Sequence, residues 1–119
     1  MPPVNDSPLE MTLLANGADL VVRLTGELDI TAEDALLPAV AAFISERPDT
    51  ASICIDLTDV SFVDSSGLRS LLLCRQHADE VGVRYELTVV DGPVTRLLAL
   101  SGLDTYFAFR PPRAVIHQD

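Results

Sequence analysis

Asp64-Ser65-Ser66-Gly67-Leu68 is the stretch of this chain whose residue types and spacing point to chemistry. A serine at the start of a helix sits beside backbone N–H groups that have no partner inside the helix, at the positive end of the helix dipole. Both favour a phosphate at that place. Asp64, Ser65 or Ser66 would equally well cap the helix by accepting from those N–H groups, a purely structural task. Gly67 removes bulk next to the hydroxyls, which would let another protein's active site approach. A second stretch, Leu24-Thr25-Gly26-Glu27-Leu28-Asp29-Ile30-Thr31, carries two acids, with Gly26 permitting a tight bend. If the loops ending at Thr31 and Ser66 open on one end of a sheet, Glu27, Asp29, Asp59 and Asp64 gather around Ser65 and Ser66. Otherwise they are ordinary solvated loop acids.

Other chemistries lack their parts. A serine nucleophile needs a base, and His77 and His117 are the two histidines present. His77 falls about three turns along the helix from Ser66, His117 falls in the tail, and no G-x-S-x-G is present. All 8 basic residues are arginine. The absence of lysine removes the phosphate-loop lysine, the Schiff-base lysine and the kinase strand lysine. Cys54 and Cys74 stand outside any C-x-x-C or metal-ligand spacing and read as small apolar filler in a reduced, cytoplasmic protein. No enzyme activity, no metal and no cofactor are expected.

The elements that must position these residues follow from periodicity. Leu9, Met11 and Leu13; Leu20, Val22 and Leu24; Ile53, Ile55 and Leu57; and Tyr85, Leu87 and Val89 each alternate with polar or smaller neighbours, so four strands are expected. Asn16-Gly17 joins the first two as a hairpin. A helix from Thr31, its expected N-cap, places Leu36, Val40, Phe43 and Ile44 on one stripe; Pro38 inside it should kink or delay it. A second helix from about Ser66 carries Leu68, Leu71, Leu72, Arg75 and Ala78 on one side and stops near Gly82. A third, from about Pro93, turns Val94, Leu97 and Leu98 inward and ends at Ser101-Gly102. Tyr106 to Phe109 can form a last short strand, and after Pro111-Pro112 there is room for a final helical turn or two.

This order is β-β-α-β-α-β-α-β. Strands buried on both faces read as unbroken apolar runs. These alternate instead, with Glu10, Arg23, Asp56, Arg84, Glu86 and several threonines on the second face. All helices are therefore expected on one face of a mixed sheet whose other face meets water.

Composition bounds the rest. The chain has 119 residues, 48% hydrophobic and 22% charged, which suits one folded domain. Its net charge is -10, and the surplus lies in residues 1–60, with 11 acids against 2 arginines, while 61–119 hold 7 acids and 6 arginines. Such a surface repels nucleic acid. No apolar run approaches the ~18 residues of a membrane span. Residues 1–8 read as a flexible tail rather than a signal peptide, and 9–119 as the domain.

Gly26-Glu27-Leu28-Asp29, Cys54-Ile55-Asp56-Leu57 through Phe62-Val63-Asp64-Ser65-Ser66-Gly67-Leu68, and Leu87-Thr88-Val89-Val90 through Ser101-Gly102-Leu103 together resemble the STAS domain of bacterial anti-sigma factor antagonists. The resemblance covers about residues 9–110. It implies an α/β fold, a single STAS domain with a mixed four- or five-stranded sheet and helices packed on one face. It also implies partner switching. An anti-sigma factor that is also a serine kinase phosphorylates the motif, the unphosphorylated antagonist binds that factor and frees the sigma factor, and a PP2C-type phosphatase resets the cycle. The second hydroxyl of the motif is the usual acceptor, here Ser66, with Ser65 the alternative. The residues expected to meet the partner are Glu27, Asp29, Asp59, Asp64, Ser65, Ser66, Gly67, Leu68 and Arg69. Arg69 stands where many members of that family have a second glycine, so it could pair with the phosphate or alter which kinase docks. The other reading is a STAS docking or sensing module of a larger complex, for instance a lipid-transport assembly, that works without phosphorylation.

Overall fold

The computed structural model describes residues 9–112. The tail expected over residues 1–8 and the helical turn expected after Pro112 lie outside the described residues. Within them the elements are β1 (Glu10–Asn16), β2 (Asp19–Leu28), α1 (Ile30–Ser45), β3 (Ser52–Val63), α2 (Ser65–Glu80), β4 (Arg84–Thr88), α3 (Pro93–Leu100) and β5 (Ala108–Phe109). The sheet order is β1-β2-β3-β4-β5. β1 and β2 form the expected antiparallel hairpin, and β2 to β5 are parallel. Gly17 takes a φ of 60°, the left-handed conformation a tight hairpin turn needs. Because each crossover advances the sheet in the same direction and crossovers share one hand, all three helices fall on the same face.

One core fills the space between that face and the helices. Leu20, Val22, Leu24, Ile53, Ile55, Tyr85 and Leu87 from the strands meet Leu36, Val40, Phe43, Ile44, Leu68, Leu71, Cys74, Ala78, Val94 and Leu98 from the helices. The Tyr85 hydroxyl donates to the Leu71 carbonyl at 3.0 Å, so its polar tip is matched inside the core. Burial pushes the Cys74 thiol up to about 12 and raises that of Cys54, as befits apolar filler. On α2 the inward stripe differs from the expected one. Ser70 and Cys74 are buried, whereas Leu72 and Arg75 are only half-buried, and Arg75 lies over the Tyr106 ring at 4.8 Å. α1 begins at Ile30, one residue before the start expected at Thr31. Pro38 neither delays nor ends this helix. Its missing N–H leaves the Asp34 carbonyl unserved at an exposed position, where water can serve it.

The second face of the sheet is more closed than its polar pattern suggests. In β1, Leu13 is exposed and Leu14 is buried with Val21 and Cys54 on that face. Ser52, Asp56 and Thr88 are buried as well. Arg110, just beyond β5, lies across it: its guanidinium donates to both Asp19 oxygens at 3.0 and 2.8 Å and twice to Glu86 at 3.0 and 2.7 Å. Asp19 is on β2 and Glu86 on β4, so the side chain bridges over β3, where Ser52 also donates to Asp19 at 2.6 Å. Burial alone would raise the Asp19 carboxyl, but the hydrogen bonds from Arg110 and Ser52 outweigh it and hold the group below its ordinary value. Arg23 pairs with Asp56 at 3.2 Å on the same face.

Candidate functional site

The site grows from the end of β3. Val63 is buried, Asp64 is extended (φ -112°, ψ -171°), and α2 starts at Ser65. Asp64 caps the helix. Its Oδ1 accepts the Gly67 N–H at 3.0 Å, and its carbonyl accepts the Leu68 N–H at 3.0 Å. Of the three residues that could have capped, the aspartate does so, and both serine hydroxyls are left for other work. Neither bonds another side chain or carbonyl among the described residues. Ser65 is exposed and Ser66 half-buried, both in the first helical turn where N–H groups lack helical partners.

Gly67 has a different reason to be glycine from the one expected. It is buried, and a Cβ there would stand 2.1 Å from the Leu28 carbonyl oxygen. The residue lets the first turn of α2 press onto the end of β2, where Leu28 O also accepts the Asp64 N–H at 3.3 Å. Close approach of the protein's own backbone, rather than access for another protein, is what the missing side chain provides. The backbone contact fixes the height of Ser65 and Ser66 relative to the β2–α1 junction. Leu68, also expected to meet a partner, is instead buried in the core.

The two acid-bearing stretches do open on the same end, because β2 and β3 run parallel with Leu28 opposite Val63. Asp29 and Asp64 sit at the two strand ends, and Glu27 lies opposite Phe62, within one residue of that edge. Asp59 is not brought there. It lies inside β3 opposite Thr25, four residues before Val63 and roughly 13 Å down the strand. β3 is longer than its alternating pattern indicates because it absorbs two irregularities, one between Arg23 and Thr25 and one between Gly26 and Glu27 in its pairing with β2. Each extra residue breaks the alternation, so the strand's end is hidden from a period-two reading. Ser61 reaches across the second irregularity and donates to the Gly26 carbonyl at 3.2 Å.

Three residues join the site that the sequence did not single out. Ile30 is 65% exposed at the start of α1, and Phe62 is 46% exposed at the end of β3. Apolar side chains left open at the end of the sheet that also carries the two serines offer surface to a protein partner. The signal for Phe62 was an apolar residue out of phase with its strand. The third is Glu33. Arg69 on α2 pairs with it, Nε to Oε1 at 3.1 Å, joining α2 to α1. Among the described residues no group of histidines, cysteines and acids could hold a metal, and no helix is long and apolar enough to cross a membrane.

A family model described as "Mlab, STAS domain" matches residues 11–111. An anti-sigma F factor antagonist from Paenibacillus polymyxa is 36% identical over 84 residues, which is 71% of this chain and 71% of that one. Among solved structures, an anti-sigma factor antagonist from Mycobacterium paratuberculosis matches with a TM-score of 0.74 at 24% identity, over 86% of this chain and 85% of that one. The Bacillus cell fate determinant SpoIIAA in its phosphorylated form matches with a TM-score of 0.63 at 23% identity, over 89% of this chain and 94% of that one. The last two matches establish the shared fold.

Proposed function

The chain belongs to the STAS domain family, and on that premise we propose that it is an anti-sigma factor antagonist working by partner switching. In its unmodified form it binds an anti-sigma factor and frees the sigma factor. That anti-sigma factor is also a serine kinase, which transfers the γ-phosphoryl group of ATP to the Ser66 hydroxyl and so ends the complex; a PP2C-type phosphatase reverses the change. The cycle runs in the cytoplasm. The chain acts in it as ligand and substrate, and the ATP, the magnesium and the catalytic groups belong to its partners.

One observation carries this reading. Asp64 supplies the helix cap, which leaves two serine hydroxyls without partners among the described residues, at the mouth of a helix and at the end of the sheet where Ile30 and Phe62 are exposed. A serine needed for the fold would be bonded inward. The proposed acceptor is Ser66, the second hydroxyl of the motif, with Ser65, the more exposed of the pair, as the alternative. The partner contacts proposed on this geometry are Glu27, Asp29, Asp64, Ser65, Ser66 and Arg69, with Ile30 and Phe62 added.

A phosphate brings about -1.5 to -2 charges at pH 7. Repulsion between unit charges at ~4 Å is roughly 1 kcal/mol in water and ~4 kcal/mol near a protein surface. A few kcal/mol is a factor of ten to a thousand in affinity, so no large change of shape is needed. The test is calorimetric titration against candidate anti-sigma kinases, with ATP added in a second arm and the modified residue found by peptide mass spectrometry. Ser66→Asp is expected to weaken binding at least tenfold and Ser66→Ala to leave it intact. Binding indifferent to Ser66→Asp, with no phosphopeptide formed, would make the chain a docking module instead.

A further inference from the structure

We infer that a phosphate on Ser66 takes Arg69 away from Glu33, so that modification of α2 uncovers a carboxylate at the start of α1. The inference rests on the phosphorylation reading above and adds a device within this chain that the reading does not require.

The geometry is local. Ser66 and Arg69 are i, i+3 on α2, a spacing that makes side chains neighbours, with roughly 5–6 Å between Cβ atoms. Helical side chains lean toward the N-terminus, so that of Arg69 leans over the turn that holds Ser65 and Ser66. The guanidinium is already at that end of the molecule, because it reaches Glu33 in the first turns of α1. Arg69 is 68% exposed and Glu33 31%, so water competes for both and the pair is weak. A phosphate carries more charge than a carboxylate and presents three acceptor oxygens to the guanidinium fork. Given both, Arg69 moves to the phosphate.

The consequence reaches beyond α2. Before modification the charges of Arg69 and Glu33 offset each other. Afterwards Arg69 offsets part of the phosphate, and the Glu33 charge stands uncovered. Glu33 is i, i+3 from exposed Ile30 on α1, so a bare carboxylate now borders the apolar part of the rim. The added negative charge is thereby spread over both helix starts, and a partner seated on Ile30 and Phe62 meets it on two sides.

The experiment uses the full chain with phosphoserine encoded at position 66, so neither kinase nor partner is needed. The phosphate is titrated by phosphorus NMR, and the Arg69 Nε–H group is followed by proton–nitrogen correlation. The Arg69 resonance is expected to move on phosphorylation and then to follow the second phosphate ionisation near pH ~6. Arg69→Gln is expected to raise that phosphate pKa by roughly half a unit, the scale of an exposed ion pair. An Arg69 resonance indifferent to pH between about 5 and 7, or a phosphate that titrates identically in Arg69→Gln, overturns the exchange. These outcomes are independent of the function itself. If no anti-sigma factor modifies the chain, the exchange is still measurable on the encoded phosphate. If a modified chain releases its partner but shows no exchange, only this inference falls.

Discussion

Two arginines hold ion pairs on opposite sides of the sheet, and they do different work. On the helical side Arg69 meets Glu33 at 3.1 Å with two-thirds of its side chain in water. On the far side Arg110 is 10% exposed and donates four hydrogen bonds to Asp19 and Glu86. Burial makes the difference. A guanidinium removed from water must have its donors satisfied, and once they are, releasing it is expensive. A guanidinium left in water loses little by changing partner. The far face is thus a fastener that ties the chain after β5 back to β2, and the rim around Ser66 is a place where charge can be rearranged at low cost. A signalling protein needs both: a frame that holds still and a surface that responds.

The rim nevertheless stands on a rigid base, and the largest effect is expected there. Gly67→Ala would drive a methyl group into the Leu28 carbonyl, which cannot give way because it accepts the Asp64 N–H. A loss of about 3 kcal/mol is expected, read as a lowered denaturation midpoint with an unchanged slope on [denaturant]. A neutral result would mean that α2 floats on β2, and the contrast between rigid base and responsive rim would fail. Next comes Arg110→Ala, which strands two partly buried carboxylates near each other and should cost about 2–3 kcal/mol. Chemical denaturation measures this, and a change below ~0.5 kcal/mol would place Arg110 in the same class as Arg69.

Acid sharpens the comparison further. The Asp19 carboxyl is held below its ordinary value by Arg110 and Ser52 against the effect of burial. A depressed carboxyl contributes stability above its unfolded value of about 3.9 and loses it as pH falls through the folded value. The stability gap between the parent protein and Arg110→Ala is therefore widest near neutrality and narrows below about pH 4. Denaturation curves at pH 7 and pH 3 for the two proteins measure it. A gap that stays constant between those pH values would show that Asp19 is not what Arg110 fastens.

The parts of this molecule that obey a period were legible in its sequence. Element order, the hairpin at Asn16-Gly17 and helices on one face follow from alternation and helical spacing, because β2, β3 and β4 turn most of their large apolar residues toward the helices. What escaped were departures from a period. Two irregularities in β3 moved the strand's end to Val63 and carried Asp59 away from the serines. The polar residues of the far face point to an open surface, yet Arg110 closes over it through contacts 91 residues apart in the chain. No local pattern encodes such a partner. At the site, the Asp-Ser-Ser-Gly motif located the serines, but only the structure divides the labour among its residues: the aspartate caps, the glycine packs, and the serines are left over. Glu33 could not be picked out as the partner of Arg69, since one acid among eighteen at a helix start has no distinguishing neighbour in sequence.

The smallest effect is expected where the functional argument is strongest. In the unmodified protein, Arg69→Gln removes an exposed ion pair and keeps most of the side chain's length and helix propensity. The expected loss of stability is at most ~0.5 kcal/mol, and it should shrink in high salt, because screening acts on charges that water already reaches. Thermal or chemical denaturation at low and high ionic strength checks both statements. The smallness is what lets the pair respond: a bridge worth several kcal/mol would hold Arg69 against any competitor, and the two helix starts would be locked together whatever happened at Ser66. A loss of 2 kcal/mol or more, insensitive to salt, would put Arg69 beside Arg110 as a fastener. The rim would then have to act through Ser66, Ile30 and Phe62 alone.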